Sequence, residues 1–448
     1  MSDPEDGSPR YLVGCINEIG AKQKADNVSG LLGEYSLKIF YESRSPKLPQ
    51  GFLLRIGIDD FKNINESHGN EYGDYILRRT AQCIEENIGP EQSLFHIVAD
   101  EFAVVDFSGG SVQQAEDLFH EIKKSIYAFI EQNQYKAVYT VSGGIVKNGD
   151  VDNSFENAMK LSEFALSEAK ERGKNSCYVF EEEEYEDYLK SRTLLRQLHH
   201  AGNNGFEGFE AYFQPLVNAA NGELTGAETL LRFHSPEGGM VSPGEFIPIL
   251  EESGLIIPVG RWVLRQALDA CREWQKILPE FKVNVNLSYV QVLKSRVLTD
   301  VRRIVDEFGV KPSSVCIELT ESGYLEENER FDKVWNGLKE YGVLLALDDF
   351  GTGYSNLRCL SDLKPAYIKI DRSFTLKALN REYEYRLLNH IVEMSHSLGL
   401  HVCVEGIETE GELTKAKQTE PDYIQGFLFG KPCSRAEFTQ KFFTKQAG

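Results

Sequence analysis

Between residues 209 and 429 the chain repeats one pattern eight times: a short apolar run ends in a polar residue, and a longer segment follows. The runs are Phe209–Val217, Leu224–Phe233, Lys282–Ser288, Val315–Thr320, Leu344–Asp349, Ala366–Asp371, Leu400–Glu405 and Tyr423–Phe429. Near-continuous apolar runs of this length read as strands buried on both faces, as in a parallel sheet. Segments 259–277, 293–308, 329–341 and 382–398 carry helical spacing between them. Eight such units in about 240 residues predict a TIM-like (β/α)8 barrel. The sharpest strand end is Leu344-Leu345-Ala346-Leu347-Asp348-Asp349, followed by a loop with two glycines. At an effective dielectric near 20, unit charges ~4 Å apart repel by about 4 kcal/mol, so two adjacent buried carboxylates need a cation. The alternative is a helix N-cap Asp beside a solvated one.

The other strand ends bear on that choice. They carry Gln214; Glu228 and Arg232; Asn284 and Asn286; Glu318 with Glu321 just beyond; Lys369 and Asp371; Glu405; and Gln425. Taken singly, an acid at a strand end is a cap or an ion-pair partner, and Asn286 is a turn residue. Taken together, Glu228, Asn286, Glu318, Asp348, Asp349 and Glu405 converge on one rim of a barrel. Such an all-oxygen donor set suits Mg2+ or Mn2+ rather than zinc. Its charge suits two metals roughly 3.5–4 Å apart, an arrangement used in phosphodiester hydrolysis. Lys369 adds a cation able to hold a water or a developing charge.

The remaining 200 residues form a separate unit. Strand candidates at 51–59, 95–105 and 136–146 alternate with helical segments at 75–88, 111–133 and 154–173, which predicts an α+β sandwich. Residues 11–48 carry helical patterning, and residues 1–21 read as a short disordered lead without a signal-peptide core. An acidic run from Glu181 leads through 183–205, read as a linker helix ended by Gly202-Asn203-Asn204-Gly205. The net charge of −21 argues against general nucleic-acid binding. No run approaches the ~20 apolar residues of a membrane span. Eight cysteines include no CxxC pair, which points to reduced thiols and a cytoplasmic protein.

The second half resembles the EAL domain of cyclic di-GMP phosphodiesterases over about residues 191–440. The resemblance is carried by Phe213-Gln214-Pro215, Ala227-Glu228-Thr229-Leu230-Leu231-Arg232-Phe233, Val285-Asn286-Leu287-Ser288, Glu318-Leu319-Thr320-Glu321, Asp348-Asp349-Phe350-Gly351-Thr352-Gly353-Tyr354-Ser355, Lys369-Ile370-Asp371, Glu405-Gly406-Ile407-Glu408-Thr409 and Gln425-Gly426-Phe427. The name-giving triplet is Glu228-Thr229-Leu230 here, and Phe233 stands where the family has Trp. The resemblance implies that Glu228, Asn286, Glu318 and Asp348 hold one metal, with Asp348 bridging to a second helped by Asp349 and Glu405. It further implies that Lys369 positions the attacking water and that Glu405 acts as base. Gln425 would support water or substrate, Glu321 would brace the loop after Asp349, and Gln214 and Arg232 would contact the nucleotide. The implied reaction is hydrolysis of cyclic di-GMP to linear pGpG by a homodimer. The alternatives are a silent receptor or a scaffold.

The first half resembles the GGDEF domain of diguanylate cyclases over roughly residues 22–182, on Gly57-Ile58-Asp59-Asp60-Phe61-Lys62 and Val98-Ala99-Asp100-Glu101-Phe102. The domains are therefore expected at 22–182 and 206–448. Gly57 stands where the family has a metal-binding Asp, and both glycines of the signature hairpin are replaced. Asn65 and Asp74 match the guanine contacts, and Lys170 and Lys174 match the triphosphate contacts. The departures imply lost cyclase chemistry, which leaves either a scaffold or dimerisation surface or a GTP-binding regulatory module.

Overall fold

The computed structural model describes residues 25–44, 51–133, 138–148, 154–320, 328–351 and 357–444. The predicted lead at 1–21 lies outside them, as does part of the helical stretch foreseen at 11–48. Within that stretch the described helix is Glu34–Arg44. The chain divides into two compact units, Met1–Leu189 and Lys190–Gly448, and helix Glu182–Asn203 contains the division.

The first unit holds strands β1 (Phe52–Ile58), β2 (Gln92–Val98), β3 (Glu101–Asp106), β4 (Val141–Lys147) and β5 (Cys177–Val179). They form one sheet in the order β2-β3-β1-β4-β5. The central strand β1 is buried along its whole length. Helices on the two faces close two apolar layers, one around Ile56, Phe102 and Ile122 and the other around Leu53, Val105 and Phe164. A polar stretch follows β1. It folds into helices Phe61–His68 and Asn70–Glu85, separated at Gly69, whose φ of 85° a side chain disfavours.

The second unit is a closed eight-stranded barrel. Its strands are β6 (Phe209–Asn218), β7 (Leu224–His234), β9 (Lys282–Asn286), β10 (Val315–Thr320), β11 (Leu344–Phe350), β12 (Tyr367–Ile370), β13 (His401–Val404) and β14 (Tyr423–Gln425). Short strands β8 (Met240–Val241) and β15 (Cys433–Ser434) attach to β7 and β6. The order runs β6-β14-β13-β12-β11-β10-β9-β7, and β6–β7 pairing closes the ring.

The all-parallel reading needs one correction. Strands β7 and β9 to β14 are mutually parallel, but β6 runs antiparallel to both neighbours. The physical reason is the connection: residues 219–223 make a tight turn, whereas a parallel crossover needs a dozen or more residues. The turn contains Asn221-Gly222, a strong hairpin signal. Outside the ring, helices such as Ile256–Trp274 and Glu329–Tyr341 bury Val263, Leu264, Trp274, Trp335 and Leu338 against the strands. No helix among the described residues is long and apolar enough to cross a membrane.

Candidate active site

Side chains alternate faces along a strand, so every second residue enters the barrel. On β9 that face carries Lys282, Asn284 and Asn286; on β10, Cys316 and Glu318. Register then sets the layers. Glu228 pairs with Asn284 across β7–β9, and Glu318 pairs with Asn286 across β9–β10. Asp348 follows Ala346, which pairs with Glu318. Acids on three strands thereby meet at the C-terminal mouth, the face where barrels of this type place their chemistry.

The cluster is closely spaced. Ligand oxygens of Glu228, Glu318 and Asp348 all lie within 4.8 Å of one another. Lys369 Nζ stands among them, 2.9 Å from Glu318 Oε2, 3.2 Å from Glu228 Oε2 and 3.3 Å from Asp348 Oδ1. It is also 2.8 Å from Glu405 Oε1. Four carboxylates thus share one buried ammonium.

Neutral amides hold the acids in place. Asn286 Nδ2 donates to Glu228 Oε1 at 2.8 Å, and Asn284 Nδ2 donates to Glu318 Oε1 at 2.7 Å. Gln425 Nε2 donates to Glu228 Oε2 at 2.7 Å and to Gln214 Oε1 at 3.2 Å. Gln425 is placed by a tight crossing: a Cβ on Gly426 would lie 2.0 Å from the Ile407 carbonyl oxygen, so only glycine lets the two strand ends touch.

Electrostatics follow the crowding. Burial pushes the Glu405 carboxyl up to about 8, against the pull of Lys369 and with the added repulsion of Asp348. Burial and the neighbouring acids likewise raise Glu318 and Asp348. Glu228 is also penalised by burial, but Lys369 and its amide donors hold it below the usual range. Burial lowers Lys369, yet four acids outweigh it and keep the ammonium charged. Asp349 sits half-buried with φ 57°, and burial plus Asp348 raise it to about 6.

Most of the anticipated residues therefore meet: Gln214, Glu228, Asn286, Glu318, Asp348, Asp349, Lys369, Glu405 and Gln425. Arg232 lies farther along β7, half-buried, its guanidinium 5.6 Å from the Tyr212 ring centre. Glu321 and most of the loop after Phe350 lie outside the described residues. Asn284 was noted on its strand without a role, although its two-residue spacing from Asn286 already put both on one face.

The donor set fits a divalent ion. It is all oxygen, it is strongly anionic, and Gln425 Oε1 is buried without a hydrogen-bond partner among the described residues.

In the first unit, the hairpin Val98–Glu101 turns through Ala99, whose φ is 50°. Lys170 lies over Gly57: a Cβ there would meet Lys170 Nζ at 2.9 Å. Lys174 Nζ pairs with both Asp60 oxygens at 2.8 Å. Asn65 packs over Gly73, beside Asp74, at the junction of the two short helices. Asp59 accepts from Thr140 Oγ1, Ser142 Oγ and Asn175 N, so its oxygens serve the fold.

Comparison with known proteins identifies the class. The EAL domain model matches residues 195–432, and the model for the diguanylate cyclase GGDEF domain matches residues 36–176. The chain belongs to the EAL domain family and carries a GGDEF domain ahead of it. It is 32% identical over 410 residues to the uncharacterized protein y4lL of Sinorhizobium fredii, covering 91% of this chain and 49% of that one. It is 29% identical over 381 residues to the bifunctional diguanylate cyclase/cyclic di-GMP phosphodiesterase MucR of Pseudomonas aeruginosa, covering 85% and 55%. The chain thus spans about half the length of these curated relatives. Among solved structures, the PaMucR phosphodiesterase in complex with c-di-GMP superposes with TM-score 0.52 at 32% identity, covering 55% of this chain and 99% of that one.

Proposed function

We propose that the barrel hydrolyses one phosphodiester of cyclic di-GMP, giving linear pGpG, with Mg2+ or Mn2+ in a two-metal site. The observation that carries this is the convergence of Glu228, Glu318 and Asp348 oxygens within 4.8 Å at the barrel mouth. A relative of similar sequence is named for this activity, and its phosphodiesterase domain was solved with c-di-GMP. Glu228, Asn286, Glu318 and Asp348 would hold one ion, and Asp348, Asp349 and Glu405 the other. Bound divalent ions would supply charge neutralisation and an acidified water.

The chain's own groups do the rest. Lys369 offers its ammonium to the attacking water and to charge developing on the phosphoryl oxygens. Glu405, 2.8 Å from Lys369 Nζ beside the cluster, is the candidate proton acceptor, directly or through the metals. Gln425 and Gln214 fix the floor beside Glu228. Arg232 would reach a phosphate from the rim. Purified protein with Mg2+ or Mn2+ and cyclic di-GMP, followed by chromatography for pGpG, tests the reading.

The first domain serves as a regulatory or dimerisation module without cyclase activity. Gly57 offers no metal ligand, and Val98 and Ala99 stand where the family has two glycines, the branched Val98 obstructing the backbone's approach to phosphates. Asn65, Asp74, Lys170 and Lys174 remain as contacts for GTP. A homodimer through the EAL domain and a cytoplasmic location complete the proposal.

A further inference from the structure

Asn284 is a buried amide beneath the acidic cluster, 7% exposed and two residues before Asn286 on β9. Its Nδ2 donates to Glu318 Oε1 at 2.7 Å, while Lys369 Nζ takes Glu318 Oε2 at 2.9 Å. Glu318 has no solvent exposure, so water offers it nothing. Glu228 is treated the same way: an Asn amide on Oε1 and Lys369 on Oε2. The two asparagines are thus parallel braces. They differ in that Asn286 is solvent-exposed at the mouth and Asn284 is sealed below it.

We propose that Asn284 is a positioning residue for the metal site, holding the Glu318 carboxylate in the orientation that the site requires. This inference rests on the metal-dependent reading of the barrel. The physical argument concerns one buried anion. A buried carboxylate with no water needs each oxygen satisfied by a hydrogen bond, or it turns aside. Lys369 cannot serve alone, because three other acids compete for the same ammonium. The Asn284 amide is neutral and already aimed, so it orders Glu318 without cancelling the charge that attracts a cation. Groups of this kind, behind the ligands, typically govern metal affinity by 10- to 100-fold. The cavity beneath, lined by Lys282, Tyr367 and Lys369 as well as Asn284, is about 20 Å3, room for one water at most. Leucine, close to asparagine in size, occupies the same space without supplying a donor.

The test is Mn2+ titration calorimetry on the metal-free full chain without substrate. Asn284→Leu should weaken Mn2+ binding by about 10- to 100-fold with unchanged stoichiometry. In turnover assays the Mn2+ concentration for half-activation should rise in step, while kcat at saturating Mn2+ stays within about threefold. Asn284→Ser, smaller and still a donor, should fall between the two and serves if the leucine variant fails to fold. A folded Asn284→Leu or Asn284→Ser protein that binds Mn2+ within twofold of wild type overturns the proposal. Wild-type protein that binds no Mn2+ overturns instead the metal-dependent reading on which it rests.

Discussion

Lys369 Nζ lies 2.9 Å from Glu318 Oε2 at the centre of the barrel, and the two side chains are 3% and 0% exposed. The pair is the hub of the site, because three further carboxylates lean on the same ammonium. Removing the cation leaves uncompensated buried charge, and breaking such a pair typically costs about 3–5 kcal/mol. Lys369→Met should lower the metal-free protein's unfolding free energy by about 3 kcal/mol at pH 8. The loss should shrink at pH 6, where the orphaned acids take up protons. Urea denaturation in EDTA at the two pH values measures this, and equal losses at both would count against it.

Protons and metal compete for the cluster. Glu405 goes from 4.5 in the unfolded chain to about 8 in the fold, and Asp349 from 3.8 to about 6. Both are raised, so the native state holds more protons than the unfolded one. Their stabilising contribution is complete below about pH 4 and is lost as pH rises through 6 to 8. Glu228, shifted down, and Lys369, shifted up, titrate outside that window. The melting temperature in EDTA should therefore fall between pH 5.5 and 8.5, and added Mg2+ should raise it more at pH 8.5. A Mg2+ gain that is larger at pH 5.5 would oppose this account.

Glu228 accepts from three donors, Asn286, Gln425 and Lys369. Glu228→Gln would turn an amide NH2 toward donors and remove a metal-binding charge. Turnover of cyclic di-GMP should drop by about a thousandfold or more, and Glu228→Ala should abolish it. Retention of a tenth of wild-type kcat by either variant would remove Glu228 from the ligand set.

Thr229 Oγ1 is buried without a hydrogen-bond partner among the described residues. A buried unsatisfied polar group costs about 1–3 kcal/mol, and valine keeps the shape without it. Thr229→Val should stabilise the protein by about 1 kcal/mol with little change in kcat, as read from denaturant midpoints. A destabilised variant would mean the hydroxyl is satisfied in solution.

Much of the barrel was legible because its signal repeats. Each strand is apolar and ends in a polar residue, and period-two spacing places Asn284 with Asn286 and Cys316 with Glu318. The reversed β6 was missed because an apolar run carries no direction; the Asn221-Gly222 turn did carry it. The role of Asn284 was not legible, since a buried amide matters through its partner on another strand. The split of the stretch after β1 into two helices was hidden by its polarity, because those helices bury a narrow face: Ile64 on one, Ile76 and Leu77 on the other.

In the first domain, Lys170 lies over Gly57 and Lys174 pairs with Asp60, so the two lysines proposed as GTP contacts stand near a strand end where Gly57 offers no carboxylate. With GTP and Mg2+ the chain should form no cyclic di-GMP, while Asp74→Ala should weaken any GTP binding seen by calorimetry. Formation of cyclic di-GMP above background would restore a cyclase role.

The most direct test is incubation of the purified chain with cyclic di-GMP and either Mg2+ or Mn2+, with products resolved by chromatography. The account predicts conversion to pGpG that stops on adding EDTA and returns with excess metal. Tight binding of cyclic di-GMP with no pGpG formed under either metal would contradict it and leave a receptor in its place.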